Sequence, residues 1–317
     1  MGRISGRLAC ALVLALASFV TPAGADTIKI LVPFAAGGPV DTTARLVASE
    51  LAPRLGLEVI VENRGGAGGA LATETVVRAT PDGKTLLMAS LGSHVINPSL
   101  RAAQGYDPAK SFTPIALIGE VPSLIIVSAD YPAKTLAELI AKAKQGQLSY
   151  GSAGPGTTMH IAGEQFNSAA GVKTTHVPYR GAAPAINDLL GGHIQFMNAD
   201  LAVLLPQVTS GKARALVLFG SERSPLLPDL PTSAELGYPG MMVENFYGLL
   251  APAGTPADVV AKLEKAVLEA VKVPSVAEKL KAGGVHGTTG AKGFAAKLDR
   301  DFAFWGPEIK KLGITGE

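Results

Sequence analysis

Cysteine is almost absent from the chain, since Cys10 is the only one among 317 residues. It lies in an N-terminal segment in which two arginines precede an apolar run over residues 8–20, and small residues follow up to Ala25. This order is typical of a secretory signal peptide. We therefore predict that residues 1–25 are cleaved after about Ala25. The mature protein is then expected to contain no disulfide, no thiol nucleophile and no cysteine-held metal.

An excess of charge of one sign is also missing. The chain carries 28 lysines and arginines against 26 aspartates and glutamates, and removing the leader removes two arginines, so the mature chain is formally neutral. This balance excludes the basic footprint of a nucleic-acid-binding protein. Beyond the leader, no segment reaches membrane-spanning length without charge, glycine or proline, so we expect no membrane span in the mature chain. A cysteine-free exported chain fits the bacterial periplasm.

Signatures of cofactor binding and catalysis are missing as well. No stretch matches the phosphate-binding pattern Gly-x4-Gly-Lys-Ser/Thr, and no glycine series completes a dinucleotide fingerprint. Neither a Gly-x-Ser-x-Gly elbow nor a His-Glu-x-x-His motif occurs. The sequence therefore predicts no cofactor, no metal and no catalytic residue, and a protein that is not an enzyme. The histidines occur singly, at His94, His160, His176, His193 and His286.

Short β-branched runs alternate with longer helical stretches through most of the chain. This alternation predicts an α/β fold with parallel sheets covered by helices on both faces, and about 290 mature residues suggest two domains. After residue 256, three helical stretches follow without strands, and we expect them to pack back onto an existing domain. The predicted strands lie at 28–34, 59–61, 85–90, 124–128, 148–151, 174–179, 194–197 and 214–219, and the predicted helices at 41–55, 69–79, 135–144, 157–170, 182–190, 256–273, 274–281 and 292–312.

Three glycine-rich loops lie between a predicted strand and a predicted helix, at residues 35–41, 63–69 and 151–158. Such a loop presents backbone N–H groups at the positive end of a helix, and ligands of open α/β sheets bind where these loops lie. The loops therefore predict an anion-binding cleft, in which Gly37 and Gly38 allow close backbone approach or left-handed geometry. An alternative stays open, because the glycines could serve only to permit tight turns.

Polar side chains near these loops admit more than one role. Asp41, near the third position of its helix, is predicted to cap local N–H groups rather than act as a base. Thr157 is predicted to cap the helix that follows it. His160, at about the third position of that helix, could donate to a bound carboxylate or serve as a packed structural histidine. Asp200 and Asn198 stand at a strand end and could line a cleft, although a helix cap is the favoured role for Asp200.

Eight sequence motifs occur in order between about residues 28 and 313. They are Val32-Pro33-Phe34-x-x-Gly37-Gly38-x-x-Asp41-x-x-x-Arg45, Val61-Glu62-Asn63-Arg64-x-Gly66-Ala67-x-Gly69, Pro81-Asp82-Gly83-x-Thr85-Leu86-Leu87, Asn97-Pro98-x-Leu100, Gly154-x-Gly156-Thr157-x-x-His160, His176-Val177-Pro178-Tyr179-x-Gly181, Leu230-Pro231-Thr232 and Ala251-Pro252-Ala253-Gly254-Thr255-Pro256. Taken together, this series resembles the solute-binding receptors of tripartite tricarboxylate transporters, the Bug or TctC-like family.

The resemblance implies a type II periplasmic-binding-protein clamshell, or Venus flytrap, in which two α/β lobes enclose the ligand. Lobe 1 would comprise residues 26–123 and 222–317, and lobe 2 residues 124–221. It also implies that the loop after the first strand and a facing loop of lobe 2 grip a carboxylate through backbone N–H groups, small hydroxyls and ordered water. The predicted ligand-binding residues are Phe34, Ala36, Gly37, Gly38, Val40, Asp41, Ser90, Ser93, His94, Gly154, Pro155, Gly156, Thr157, Thr158, His160 and Asp200.

The implied function is a periplasmic receptor that delivers a small organic acid, such as a di- or tricarboxylate, to a separate membrane permease. Two departures from the family pattern leave the identity of the acid open: Asn198-Ala199-Asp200 stands where Phe-Asp-Asn is frequent, and Phe246 where a tryptophan is common. Two other functions stay open. One is a periplasmic sensor that presents the same clamshell to a signalling kinase, and the other is an enzyme on a related two-lobe fold, such as a periplasmic hydrolase.

Overall fold

Strands and helices alternate along the chain in the computed structural model, which describes residues 27–100, 105–146 and 148–314. The predicted signal peptide lies outside these residues. The strands are β1 (Thr27–Val32), β2 (Glu58–Asn63), β3 (Thr85–Ser90), β4 (Phe112–Ser128), β5 (Ser149–Ser152), β6 (Thr175–Pro178), β7 (Phe196–Asp200), β8 (Ala213–Leu218), β9 (Glu244–Pro252) and β10 (Thr289–Gly290). The helices are α1 (Pro39–Leu55), α2 (Ala70–Val77), α3 (Asn97–Leu100), α4 (Leu136–Gln145), α5 (Thr158–Ala170), α6 (Ala182–Leu190), α7 (Leu201–Thr209), α8 (Ala257–Ala270), α9 (Pro274–Ala282) and α10 (Ala291–Lys311), with a 3-10 turn at Ala67–Gly69 and a π-helical segment at Leu91–Ile96.

The sheet of lobe 1 has the strand order β2-β1-β3-β9-β4, with β10 on the far side of β4. Strand β1 is parallel to β2 and β3, and β9 is antiparallel to both β3 and β4. As a result β1, β2, β3 and β4 run in one direction, and only β9 and β10 oppose them among the described strands. Lobe 1 therefore contains the mainly parallel sheet that the strand–helix alternation predicts.

Strand β4 enters a second sheet, which belongs to lobe 2 and has the order β8-β4-β7-β5-β6. Residues 112–122 of β4 pair with β9, whereas residues 123–128 pair with β7 and β8. Within this sheet β5, β6, β7 and β8 share one direction, and β4 runs against them. The predicted α/β architecture is confirmed. The lobe boundaries at 123/124 and 221/222 stay a prediction, which the change of partner within β4 supports.

Apolar side chains cover both faces of the sheets. In β1, Ile30 and Val32 point to one face and pack in a cluster with Val47 of α1. Leu31 points to the other face and packs in a second cluster with Val76 of α2. All five side chains are at most 1% exposed. A strand buried on both faces needs apolar residues at consecutive positions, which is why β1 is continuously apolar from Ile30 to Val32.

The three C-terminal helices pack back onto lobe 1, as predicted. Helix α8 contacts α1 and β4, α9 contacts α1, and α10 packs across β4 and the π-helical segment. Phe294 and Trp305, on the inner face of α10, are at most 3% exposed. None of the helices in the described part of the chain is both long and apolar enough to cross a membrane.

Five elements escape the sequence patterns, namely helix α3, the first half of β4, helix α7 and strands β9 and β10. The expectation that no strand follows residue 256 is wrong, because the two residues of β10 pair with β4 between α9 and α10. Pro114 and Gly119 interrupt the pattern of β4, where the pairing register with β9 also shifts. Gly119 is required by tertiary packing, because a Cβ there would lie 2.6 Å from the carbonyl oxygen of His286. Helix α7 contains Pro206, and β9 is buried along nearly its whole length. Local periodicity does not report such features.

Candidate functional site

A cleft with a volume of about 1840 Å³ lies between the two lobes. Four loops line it, and each leads from the end of a strand to the start of a helix: residues 33–39 and 65–69 in lobe 1, and residues 153–156 and 179–181 in lobe 2. Parallel strands place their carboxyl ends at one edge of a sheet. The two loops of each lobe therefore converge on the cleft, where open α/β sheets bind their ligands.

Positive charge dominates the lining of the cleft. Helices α1, α2, α5 and α6 begin there, and the N-terminal end of a helix carries a partial positive charge. The charged side chains of the lining are Asp41, Arg45, Arg180 and Lys279, so basic groups exceed acidic ones by two. Asp41 pairs with Arg45 at 3.0 Å, whereas Arg180 and Lys279 form no ion pair or side-chain hydrogen bond with any described residue. The cleft is therefore suited to a small anion.

Asp41 holds the first loop in place. Its carboxylate accepts hydrogen bonds from the Gly37 N–H at 2.9 Å, from Arg45 Nε at 3.0 Å and from Asn63 Nδ2 at 2.9 Å. Burial acts to raise the pKa of Asp41, but these three donors outweigh it and the pKa is lowered below its usual 3.8. Asp41 is thus ionised at neutral pH. The predicted role as a cap of local N–H groups is confirmed.

Gly37 and Gly38 differ in backbone geometry. Gly37 has a φ of 84°, in the left-handed region, and its missing Cβ would face open space. Gly38 has a φ of −77° and a ψ of 169°, which any residue adopts. The expectation of left-handed geometry is confirmed for Gly37 and is wrong for Gly38. Only the first of the two positions needs glycine for conformational reasons.

The second loop is an unusual run of four residues with positive φ, from Gly66 to Gly69. Ala67, with a φ of 50°, is the only non-glycine residue with positive φ among those the structure describes. A Cβ on Gly69 would lie 2.8 Å from the Cβ of Ser93. Ser93 in turn exchanges hydrogen bonds with Ser90 at the start of the π-helical segment. This serine pair therefore supports the loop from behind.

The third loop, before α5, is held by its own side chains. The Thr157 hydroxyl donates to the Gly154 carbonyl at 2.7 Å and accepts from the His160 N–H at 3.4 Å, so the predicted helix cap is confirmed. The His160 ring accepts the Gly156 N–H at its Nδ1, at 3.2 Å. The N–H of Gly156 is therefore hydrogen-bonded within the loop and is not available to a ligand. His160 has the structural role, which is one of the two roles that the sequence left open.

A second histidine supports His160. The ring of His176 stacks on it with centroids 4.0 Å apart, and His176 Nε2 lies 2.5 Å from Ser152 Oγ. Burial lowers the pKa of both histidines to about 4, and for His176 the neighbouring His160 lowers it further. Both rings are neutral at pH 7. Among the described residues, no group of three or more His, Cys, Asp or Glu side chains could hold a metal ion.

Half of the predicted ligand-binding residues line the cleft and half do not. Those in the lining are Phe34, Ala36, Gly37, Gly38, Asp41, Gly154, Pro155 and Gly156. Those placed elsewhere are Val40, Ser90, Ser93, His94, Thr157, Thr158, His160 and Asp200. Ser93, Thr157 and His160 of the second group hold the loops from outside the lining.

His94 lies away from the cleft, in the core of lobe 1. Its ring packs edge-on against Phe112, with centroids 4.9 Å apart, and lies 5.8 Å from Phe302 of α10. It is fully buried, and neither ring nitrogen has a hydrogen-bond partner. This burial lowers the pKa of His94 to about 3. The prediction of His94 as a ligand-binding residue is therefore wrong, because the π-helical segment places its ring in the core.

Asp200 joins the two lobes instead of capping α7. Its carboxylate makes no capping bond. It accepts hydrogen bonds from Asn245 Nδ2 at 2.8 Å and from the Tyr247 hydroxyl at 2.7 Å, both on β9 of lobe 1. Burial raises the pKa of Asp200, while these two hydrogen bonds act to lower it. The cap interpretation is wrong, and Asp200 positions Tyr247, which lines the cleft.

Several lining residues were missed from the sequence. Loop 65–69 lies in one of the three glycine-rich loops that predict the cleft, but none of its residues is among the predicted ligand-binding residues. Loop 179–181, with Arg180, belongs to one of the eight motifs, and its strand–glycine–helix order could have identified it. Asn97 and Lys279 reach the cleft from α3 and α9. Asn97 opens one of the eight motifs, which is a signal that could have identified it. No local signal marks Lys279, because the packing of α9 alone brings it to the cleft.

Comparison with known proteins gives one consistent result. A family model described as "Tripartite tricarboxylate transporter family receptor" matches residues 43–314. The chain is 33% identical over 313 residues to Protein BugT of Bordetella pertussis (strain Tohama I), covering 96% of this chain and 94% of BugT. It is similar to the solved structure of the periplasmic binding protein BugD, with 38% identity, a TM-score of 0.84, and coverage of 92% of this chain and 99% of BugD.

A second solved structure shows a ligand-bound relative. MatC of Rhodopseudomonas palustris, solved with bound malate, is 35% identical to this chain with a TM-score of 0.82, and the match covers 89% of this chain and 98% of MatC. These agreements extend over nearly the whole length of each protein, and both lobes are included. The chain therefore belongs to the tripartite tricarboxylate transporter receptor family and has its two-lobe periplasmic-binding-protein fold.

Proposed function

We propose that this protein captures a small organic carboxylate between its lobes and delivers it to a separate membrane permease of the tripartite tricarboxylate type. The observation that carries the proposal is the electrostatics of the cleft. Four helix N-termini face it, and Asp41, the only acidic side chain of its lining in the described part of the chain, is neutralised by Arg45. Such an arrangement stabilises an anion through backbone N–H groups and helix dipoles. A carboxylate is the anion found in the related MatC.

The two unpaired cations favour a dianion over a monoanion. One carboxylate binds at the N-terminus of α1 in lobe 1, and the second meets Arg180 in lobe 2. A ligand that contacts both lobes binds the closed form better than the open form and so shifts the equilibrium toward closure. Malate, the ligand of MatC, has two carboxylates. The ligand class is therefore a short dicarboxylate.

The lining also favours capture without chemistry. Its described residues include no histidine, cysteine or glutamate, and its one aspartate is committed to Arg45, Asn63 and the Gly37 N–H. A hydrolase would need a general base within reach of the bound acid. The protein is exported: residues 1–25 act as the signal peptide, and the mature chain works in the periplasm, as BugD does.

A thermal-shift screen tests the ligand class. The full chain is exported by a bacterial host, purified and shown by mass spectrometry to begin at Asp26. Acetate, succinate, L-malate, adipate and citrate are then compared. A ligand at a hundred times its Kd adds about 2.7 kcal/mol to the free energy of unfolding, which raises the Tm by several degrees. If none of the acids raises the Tm of folded, ligand-free protein, the carboxylate proposal is refuted.

The role of Arg180 is tested by comparing Arg180→Gln with Arg78→Gln. Arg78 is an exposed arginine directly after α2 and outside the cleft, so it controls for the loss of one positive charge. We expect Arg180→Gln to weaken dicarboxylate binding about tenfold, because it removes a charge-assisted hydrogen bond, and to change acetate binding much less. Equal affinities of the two variants in isothermal titration would show that Arg180 does not contact the second carboxylate.

A further inference from the structure

Asn97 lines the cleft with a side-chain amide that has no hydrogen-bond partner among the described residues. The residue as a whole is 6% exposed. Its amide atoms are not closed off from solvent, unlike the partnerless polar atoms in the core, so they remain open to the cleft. A bound ligand can therefore reach the amide and take the place of the solvent there.

Two glycines make room for this amide. A Cβ on Gly68 would lie 1.9 Å from Asn97 Nδ2, so any other residue at position 68 would occupy the place of the amide. A Cβ on Gly156 would lie 3.4 Å from the same nitrogen. Gly68 belongs to the second loop, in lobe 1, and Gly156 to the third loop, in lobe 2. The amide therefore lies where a loop from each lobe approaches the cleft floor.

The neighbouring backbone groups indicate which atom of the Asn97 amide contacts the ligand. The N–H of Gly156 is already committed to His160 Nδ1, and that of Gly154 to Ser152 Oγ, so the third loop has fewer donors than its glycines suggest. Asn97 Nδ2 supplies a donor at this point. We propose that Asn97 donates a hydrogen bond to a carboxylate oxygen of the bound acid. This inference rests on the proposed function, and it adds a ligand-binding residue that lies between loops of the two lobes.

Two substitutions test the inference. Asn97→Ala removes the donor, and Asn97→Asp keeps the shape while it replaces the donor with a negative acceptor. The probe is L-malate, succinate, adipate or citrate, whichever the wild-type protein binds most tightly. By isothermal titration we expect Asn97→Ala to weaken binding about tenfold and Asn97→Asp about a hundredfold, because the aspartate repels the carboxylate.

The matched control is Asn187→Asp, on the exposed side of α6 in lobe 2. Asn187→Asp changes the net charge by the same amount as Asn97→Asp does, but at a residue outside the lining. The affinity of this variant for the acid should stay within about twofold of wild type. A second readout is the Tm without ligand. The amide makes no hydrogen bond with any described residue, so Asn97→Ala should have an unchanged or higher Tm. If Asn97 had only a structural role, Asn97→Ala would instead lower the Tm and leave the ligand affinity unchanged.

The outcomes separate the two proposals. If an acid stabilises wild-type protein and the Asn97 variants bind it as tightly as wild type does, the Asn97 inference is overturned while the receptor proposal stands. Weaker binding in Asn97→Ala without loss of Tm supports it. If no acid binds wild-type protein, the receptor proposal fails and the Asn97 inference falls with it.

Discussion

Replacing Gly37 by alanine should expose the cost of the left-handed backbone in the first loop. A non-glycine residue at a φ of 84° costs about 1–2 kcal/mol. The Gly37 N–H is tied to Asp41 even without ligand, so part of this cost appears as a lower free energy of unfolding. If the ligand-free loop relieves part of this conformational cost by changing shape, that part returns when the ligand binds and appears as weaker binding. The losses in stability and in binding free energy should therefore add up to about 1–2 kcal/mol, and a loss wholly in binding would be about 5- to 30-fold in Kd.

Two further variants make the experiment decisive. Gly38→Ala adds the same methyl group one residue later, at a φ of −77°, where it meets only the Ala35 carbonyl at an ordinary 3.6 Å. It should be neutral or slightly stabilising. Gly37→Asn carries a larger side chain, but asparagine tolerates positive φ better than alanine does, so it should lose less than Gly37→Ala.

Urea unfolding and isothermal titration measure both losses for each variant. The order of effect predicted from backbone strain is Gly37→Ala largest, Gly37→Asn intermediate and Gly38→Ala smallest. Steric obstruction of the ligand by the new side chain predicts instead that Gly37→Asn is the worst of the three. That order, or equal effects at positions 37 and 38, would refute the strain argument.

Two other predictions concern the third loop. Thr157→Val removes a helix cap and should lower the free energy of unfolding, measured in urea, by about 1 kcal/mol. Its ligand affinity should stay within about threefold of wild type. A larger loss of affinity would mean that the hydroxyl contacts the ligand. For His160, burial lowers the pKa from 6.5 to about 4, so the unfolded chain binds a proton that the folded chain does not between these values. Stability should therefore fall as the pH drops from about 6.5 to 4, by about 1–3 kcal/mol from this residue, and His160→Gln should flatten that slope in urea unfolding at pH 7, 5.5 and 4.5. Identical slopes for His160→Gln and wild type would contradict the assignment.

The position of the site was largely predictable from the sequence. Glycine-rich loops between strands and helices identify helix N-termini, and parallel strands bring such loops to one edge of a sheet. The roles of Asp41 and Thr157 were predictable for a related reason, since each bonds to groups within four residues of itself. Interactions of this short range are encoded by spacing along the chain.

The roles of His94 and Asp200 were not predictable in this way. The orientation of His94 depends on the π-helical segment and on Phe302, which lies in the last helix. Asp200 bonds to Asn245 and Tyr247, at least 45 residues away and in the other lobe. A residue at the end of a strand can face the cleft, the core or the opposite lobe, and local patterns do not distinguish these environments.

The sequence by itself determined the strand–helix alternation, the anion-binding character of the loops and membership of a receptor family, because these depend on local periodicity, glycine positions and motif order. Only the tertiary structure decided that β4 joins both sheets, that Arg180 and Lys279 face the cleft unpaired, and that Asn97 lies between loops of the two lobes. The physical reason is that these features arise from contacts between segments distant along the chain. Such contacts are selected by the packing of whole helices and sheets, which no short stretch of sequence specifies.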